Sequence, residues 1–169
     1  DGKIWFATNN GISFWDTGSD KWKNIYFNKL EHAQVFLTLC EDDKGRIWAG
    51  SYSSGIYVLD GKTGKELEHY SRDVKGFSAV SNYIFDIFRD SQGDLWIGGV
   101  NGDFLCYQSK ENIFKTYPAE PISSIAELAP SQILLGCSDG VLLLNKQTGD
   151  IQNFLTGYVV IDILVKGDV

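Results

Sequence analysis

Apolar and polar positions along this chain run in short alternating stretches broken by Gly, Asp, Asn and Ser, and the same order of stretches returns several times. Between residues 35 and 71, Val35–Glu41 is apolar and β-prone, and Asp42-Asp43-Lys44-Gly45 reads as a turn. Arg46–Ser51 reads as a second strand, Ser53-Ser54-Gly55 as a turn, and Ile56–Leu59 as a third strand. Asp60–Gly64 turns the chain again, and Lys65–Ser71 alternates as a half-exposed outer strand does. No stretch holds a 3.6-residue apolar period over the length of a helix, so almost no helix is predicted. Pro118, Pro121 and Pro130 fall outside the predicted strand centres, as strands require.

Four segments match one another: DGKIWFATNNGISFWD (1–16), KGRIWAGSYSSGIYVLD (44–60), QGDLWIGGVNGDFLCYQ (92–108) and PSQILLGCSDGVLLLN (130–145). Trp5, Trp48, Trp96 and Leu134 share one marker position. Two residues later stand Ala7, Gly50, Gly98 and Gly136, and then Gly11, Gly55, Gly102 and Gly140. Thr17-Gly18, Thr63-Gly64 and Thr148-Gly149 mark a further turn that the third unit lacks. A four-strand unit repeating every 38 to 48 residues is the signature of a β-propeller blade. One such sheet cannot bury both faces, whereas stacked sheets can, with Trp5, Trp48, Trp96 and Leu134 as blade-packing residues. The glycines are assigned to sharp turns between strands.

The predicted fold is therefore an all-β β-propeller made of four-stranded antiparallel blades. It forms a single region over 1–169, with repeats at approximately 1–27, 35–71, 83–117 and 122–155. Val159–Lys166 matches Ile84–Arg89 and is predicted as a further first strand, giving sixteen strands, or four blades' worth. Those strands either close into a small ring, with Val159–Lys166 completing the first three, or belong to a larger propeller.

Composition narrows the function classes. Hydrophobic residues make up 43% and charged residues 22% of 169, which excludes bulk disorder. A net charge of −7 makes the chain a poor partner for nucleic acid or anionic lipid. No apolar run approaches the ~20 residues of a membrane-spanning helix, so direct membrane insertion of this segment is not expected. Met is absent even at position 1, so a processed or excised piece is expected. Cys40, Cys106 and Cys137 form no CxxC pair and are expected to be buried thiols rather than zinc ligands or a disulfide framework.

The run Asp43-Lys44-Gly45-Arg46-Ile47-Trp48-Ala49-Gly50-Ser51, followed by Gly55-Ile56-Tyr57, closely resembles the two-component regulator propeller repeat. So does Asp90-Ser91-Gln92-Gly93-Asp94-Leu95-Trp96-Ile97-Gly98-Gly99, followed by Gly102. Phe77-Ser78-Ala79-Val80-Ser81-Asn82-Tyr83-Ile84 looks like the Ser-Asn-containing start of a new blade in that family. Unit one departs from the pattern at Ala7, and unit four at Leu134 and Pro130-Ser131. The resemblance covers most of the chain. It implies the periplasmic, ligand-sensing region of a membrane-bound hybrid histidine kinase of the kind common in gut Bacteroidetes. It further implies no catalytic role, no cofactor and a small-molecule ligand, with oligosaccharide the expected class. Self-association or further blades are the implied partners.

The candidate chemistry is sparse. His32 falls in a predicted loop and His69 on an outer strand, the three Cys have no His near in sequence, and neither GxSxG nor HExxH occurs, so no catalytic or metal residue is assigned. Glu41-Asp42-Asp43 reads as a solvated turn, because no DxDxDG spacing accompanies it. Gly98-Gly99-Val100-Asn101-Gly102 reads as a hairpin rather than a phosphate loop, since Lys-Ser/Thr and a helix are missing. Trp15 and Trp22 do not recur, and Trp22 on an outer strand is a candidate contact. Function on a propeller sits on its loops. The long Arg72–Asn82 connection supplies Arg72, Phe77 and Asn82, and the hairpins supply Tyr52, Asn10, Asn101 and Asp103 as candidate ligand-binding residues. Arg, Asn, Asp and an aromatic plane are groups that hold sugars. Phe77 reads equally as a loop anchor, and the turn asparagines as residues tolerant of positive φ. Two alternatives remain. One is a carbohydrate-active lyase or glycosidase, or a quinone-cofactor propeller suggested by DGKTGKEL (60–67). The other is a protein-interaction scaffold without a small ligand.

Overall fold

The computed structural model describes residues 2–27, 34–72, 81–100 and 103–166, apart from the side chain of Asp103. They contain fifteen strands and no helix. The chain divides into two compact units, Asp1–Ile84 and Phe85–Val169.

In the first unit, β1 (Lys3–Thr8), β2 (Gly11–Asp16) and β3 (Lys21–Ile25) form a three-stranded antiparallel sheet. β4 (Phe36–Glu41), β5 (Arg46–Ser51), β6 (Ile56–Asp60) and β7 (Glu66–Tyr70) follow in sequence order as a four-stranded one. The second unit holds two such meanders. The first is β8 (Ile84–Arg89), whose first residue closes the preceding unit, with β9 (Leu95–Gly99), β10 (Asp103–Gln108) and β11 (Ile113–Pro118). The second is β12 (Ile122–Ala129), β13 (Gln132–Cys137), β14 (Gly140–Asn145) and β15 (Ile151–Thr156). Consecutive strands pairing in order, joined by tight turns, are what the repeated alternating pattern specifies.

Each unit buries its core between sheets. In the first, Trp5, Ala7 and Ile25 of the β1–β3 sheet pack on a buried cluster that includes Ile12, Phe36, Ile47, Ala49 and Tyr57. In the second, Trp96, Phe104 and Tyr117 meet Ile125, Ile133 and Leu135. Trp5 and Trp96 thus face a neighbouring sheet, where a large apolar side chain removes the most surface from water.

A carboxylate buried beside Trp48 and another beside Trp96 were hidden in the sequence. In the Glu41-Asp42-Asp43 turn the outer two carboxylates are exposed as its composition suggests, but Asp42 is only 2% exposed. Its Oδ1 accepts from the backbone N–H groups of Lys44 and Arg46, and its Oδ2 from Trp48 Nε1 at 2.9 Å and Arg46 Nε at 2.6 Å. Asp90 repeats this arrangement with Gln92, Asp94 and Trp96, but its cation is Lys146 of the following sheet, at 2.6 Å. Burial alone would push both carboxyls up. The indole, backbone and cationic donors outweigh it and hold them below the usual carboxylate range. The degenerate fourth unit changes both partners together. Leu128 and Leu134 stand at the same six-residue spacing and belong to one apolar cluster.

The glycine two residues after the marker does not make a turn. Gly50, Gly98 and Gly136 lie within β5, β9 and β13, and none has positive φ. A Cβ there would come within 2.5 Å of Ile84 Cγ2, 2.8 Å of Ile122 Cγ2 and 2.9 Å of Val160 Cγ1, respectively. Glycine is present so that the β-branched residue beginning the next inner segment can approach.

Val160 holds the place of Ile84 and Ile122, yet residues 158–166 form no strand, contrary to the sixteen-strand expectation. The segment is fixed sideways: Val160 N donates to Cys137 O at 3.0 Å, and Ile163 N to Ser124 Oγ at 3.0 Å. Val160, Ile163 and Val165 pack on Leu134, Val141 and Leu143. A ladder partner, which a strand assignment needs, is lacking among the described residues. Cys106 and Cys137 are buried, whereas Cys40 is only partly so.

Candidate functional site

The sequence-predicted residues that the structure brings together lie at one end of the β4–β7 sheet. The β5–β6 hairpin is stiffened from within. Ser51 Oγ donates to Gly55 O at 2.9 Å and accepts from Ser54 N at 2.8 Å. Gly55 has φ +78°, and a Cβ there would stand 2.1 Å from Tyr70 O, so only glycine fits. Its N–H donates to Asn82 O at 3.0 Å, tying the hairpin to the segment that leads into β8.

This tie sets Tyr52 against Tyr83, with ring centroids 5.5 Å apart and planes at 90°. Both rings are open to solvent, at 51% and 38% exposure. Asn82 Oδ1 accepts from the Arg72 N–H at 3.0 Å, so Asn82 fixes the chain where the long connection leaves β7. Behind the hairpin, His69 stacks on Tyr57 at 4.0 Å and its Nε2 meets Ser54 O at 2.6 Å, so this histidine buttresses the turn. Burial, with the Glu66 charge adding to it, pushes the Tyr57 hydroxyl up to about 12, which keeps it a neutral phenol.

Tyr83 was not singled out in sequence, because it sits at the end of a Ser-Asn segment where only the hairpin contact reveals it. Asn10 lies on the β1–β2 hairpin, where its N–H donates to Thr8 Oγ1 at 3.0 Å. No hydrogen bond or ring contact joins it to Tyr52 or Tyr83 among the described residues. Neither Asn9 nor Asn10 adopts positive φ; Gly11 supplies it, at +93°. Phe77 and Asn101 lie outside the described residues, and Asp103 is placed only as the first residue of β10. Trp22 is 61% exposed and stacks on Trp15 at 6.1 Å. Among the described residues no group of three or more His, Cys, Asp or Glu is placed to hold a metal ion. Among the described residues no helix is long and apolar enough to cross a membrane.

The arrangement offers two exposed phenol rings at right angles beside a pinned asparagine and the Arg72 backbone. Flat apolar planes edged with hydroxyl and amide groups suit a ligand with both C–H faces and hydroxyls.

The profile of the "two component regulator propeller" family matches residues 29–53 and 78–101. The second match contains Asn82 and Tyr83, and the first contains Tyr52. No curated protein matches the chain. Among solved structures, the chain is similar to the extracellular domain of a putative one component system from B. thetaiotaomicron. The TM-score is 0.78 at 20% identity, over 98% of this chain and 24% of that one. It is also similar to the extracellular domain of a putative hybrid two component system from the same organism. There the TM-score is 0.74 at 21% identity, over 94% of this chain and 22% of that one. A catalytically inactive virginiamycin B lyase from Staphylococcus aureus matches with TM-score 0.67 at 15% identity, over 90% of this chain and 51% of that one. The chain thus spans about a quarter of the length of the two extracellular domains. These likenesses establish the fold.

Proposed function

We propose that this chain, two segments of which match the two-component regulator propeller family, belongs to the extracytoplasmic sensor of a membrane-bound signalling receptor. In this reading it is non-catalytic and binds an oligosaccharide through the Tyr52–Tyr83 pair. The exposed right-angled phenols beside Asn82 and Arg72 carry the proposal. Two partly exposed aromatic rings, one on a pinned hairpin and one on the segment tied to it, offer apolar surface to a ligand. A sugar ring stacks on one phenol while its hydroxyls meet the other and the asparagine amide. The ligand acts by population shift: its contacts at this end of the sheet favour one arrangement of the receptor, and that bias reaches the kinase.

Calorimetry on the chain with a panel of plant and host oligosaccharides tests this reading. Tyr52→Ala and Tyr83→Ala are expected to weaken binding by about tenfold or more each, the scale of a lost stacking contact. Absence of binding across the panel, or binding that both variants retain, would overturn it.

A further inference from the structure

We propose that a recess in the second unit, between the β8–β11 and β12–β15 sheets, binds a small zwitterion of the α-amino-acid class. The proposal is independent of the oligosaccharide reading and uses other residues. The recess encloses about 420 Å³, within the roughly 300–1,000 Å³ of small-molecule sites. Its floor is one face of β9–β11. Register sets Trp96 beside Cys106 and Cys106 beside Lys115, and Asp94, Gln108 and Tyr117 share that face by alternation. The opposite wall is Pro130-Ser131, between β12 and β13, and Lys146-Gln147, after β14.

Two charged groups on this floor are not consumed by the fold. Asp94 Oδ1 accepts from Ser109 N at 3.0 Å, and no donor reaches its Oδ2 among the described residues. Burial raises the Asp94 carboxyl above the usual range. The Ser109 bond and Lys146 only partly offset that burial, and the like charges of Asp90 and Glu111 add to it. The Lys115 ammonium lies 5.2 Å from the Tyr117 ring centroid and meets no carboxylate within ion-pair distance among the described residues. Lys146, by contrast, is spent on Asp90 at 2.6 Å and Glu127 at 3.6 Å. Asp94 and Lys115 do not neutralise each other. The Cys106 side chain, on the strand between them, is a thiol that burial pushes up and keeps neutral.

A carboxylate oxygen that takes no protein donor and an ammonium that meets a ring but no carboxylate, in one recess, are complementary to a ligand bearing both opposite charges. An α-amino acid places its ammonium on Asp94 and its carboxylate towards Lys115. The Gln108 and Gln147 amides and the Ser131 hydroxyl meet its polar side chain. A neutral sugar leaves both protein charges unmatched, and a simple acid or amine leaves one, which is how the recess discriminates.

Calorimetry on the whole chain with the twenty free L-amino acids tests the proposal, with N-acetyl and methyl-ester derivatives and glucose as controls. One or more free amino acids are expected to bind. Blocking either charge, or making Asp94→Asn or Lys115→Gln, is expected to weaken binding by about tenfold or more, the scale of one hydrogen bond to a charged group. Both variants should keep the wild-type circular dichroism. Lys115 is exposed, so Lys115→Gln decides the matter should Asp94→Asn fail to fold. The proposal is overturned if no amino acid binds up to about 10 mM, if glucose or a blocked derivative binds as well, or if Lys115→Gln binds undiminished. Tyr52→Ala should leave this binding unchanged, which separates it from the oligosaccharide site.

Discussion

The indole of Trp96 donates to Asp90 Oδ2 at 2.8 Å, and that same carboxylate oxygen receives Lys146 Nζ from the neighbouring sheet. The marker tryptophan is therefore a polar anchor as well as an apolar wedge. In the second unit its acceptor bridges two sheets, whereas in the first Arg46 supplies the cation from the same hairpin. Asp90→Ala leaves the indole N–H without its acceptor and Lys146, only 8% exposed, with Glu127 alone. The expected loss is about 3 kcal/mol, the lower end for breaking a buried pair. It would be read as a lower urea midpoint at unchanged m-value.

The two buried carboxylates also set an acid limit. Asp42 and Asp90 are held below the ordinary aspartate value of 3.8 in the folded chain. Their stabilisation is complete above that value and disappears as pH falls through the lower folded value, because the unfolded chain binds protons first. The melting temperature should hold between about pH 7 and pH 5 and fall below about pH 4, with a shallower fall in Asp42→Asn. Asp94 carries the opposite sign. Its folded value is raised, so ionisation disfavours the fold. Asp94→Asn should raise the melting temperature at about pH 7 and leave it unchanged below about pH 3.5.

A methyl group at position 98 tests the close approach of sheets. The Cβ of Gly98→Ala would meet Ile122 Cγ2 at 2.8 Å and Ile122 Cβ at 2.9 Å. Overpacking of this kind costs about 1–3 kcal/mol. Ile122→Ala removes the Cγ2 atom, so the double variant should be less destabilised than the sum of the two single changes, with a coupling of at least about 0.5 kcal/mol by chemical denaturation.

The thiols should separate by access. Cys106 and Cys137 are buried, and burial pushes the Cys106 thiol far from ionisation. In the native chain a disulfide reagent should label Cys40 first, and the other two only as denaturant opens the sheets. Fast labelling of Cys106 in buffer would contradict the packing described for β9–β11.

Much of the fold was legible because a period-two pattern and a turn residue act locally. Lys3–Thr8, Arg46–Ser51 and Ile84–Arg89 begin and end where alternation and Gly-containing turns place them. What was not legible depends on neighbours. Asp42 looks like any acidic turn until Trp48, six residues on, is folded back over it. Gly98 looks like a turn glycine until Ile122 is placed against it. Tyr83 became a site residue only through the edge of Tyr52, and the unmatched charges of Asp94 and Lys115 come from strands whose sequence gives no hint of a shared recess. Val159–Lys166 carries the right residues for a strand, but a strand also needs a ladder, and sequence similarity to Ile84–Arg89 does not supply one.

That tail has a practical consequence. Val160, Ile163 and Val165 anchor one side of it, while Ile161 and Leu164 stand 81% and 88% bare on the other. Bare apolar side chains on a segment gripped from its other side are a template for adhesion. In concentrated solution the tail should nucleate fibres or clumps, and a single lysine in place of Leu164 should blunt that stickiness without loosening the sheet beneath.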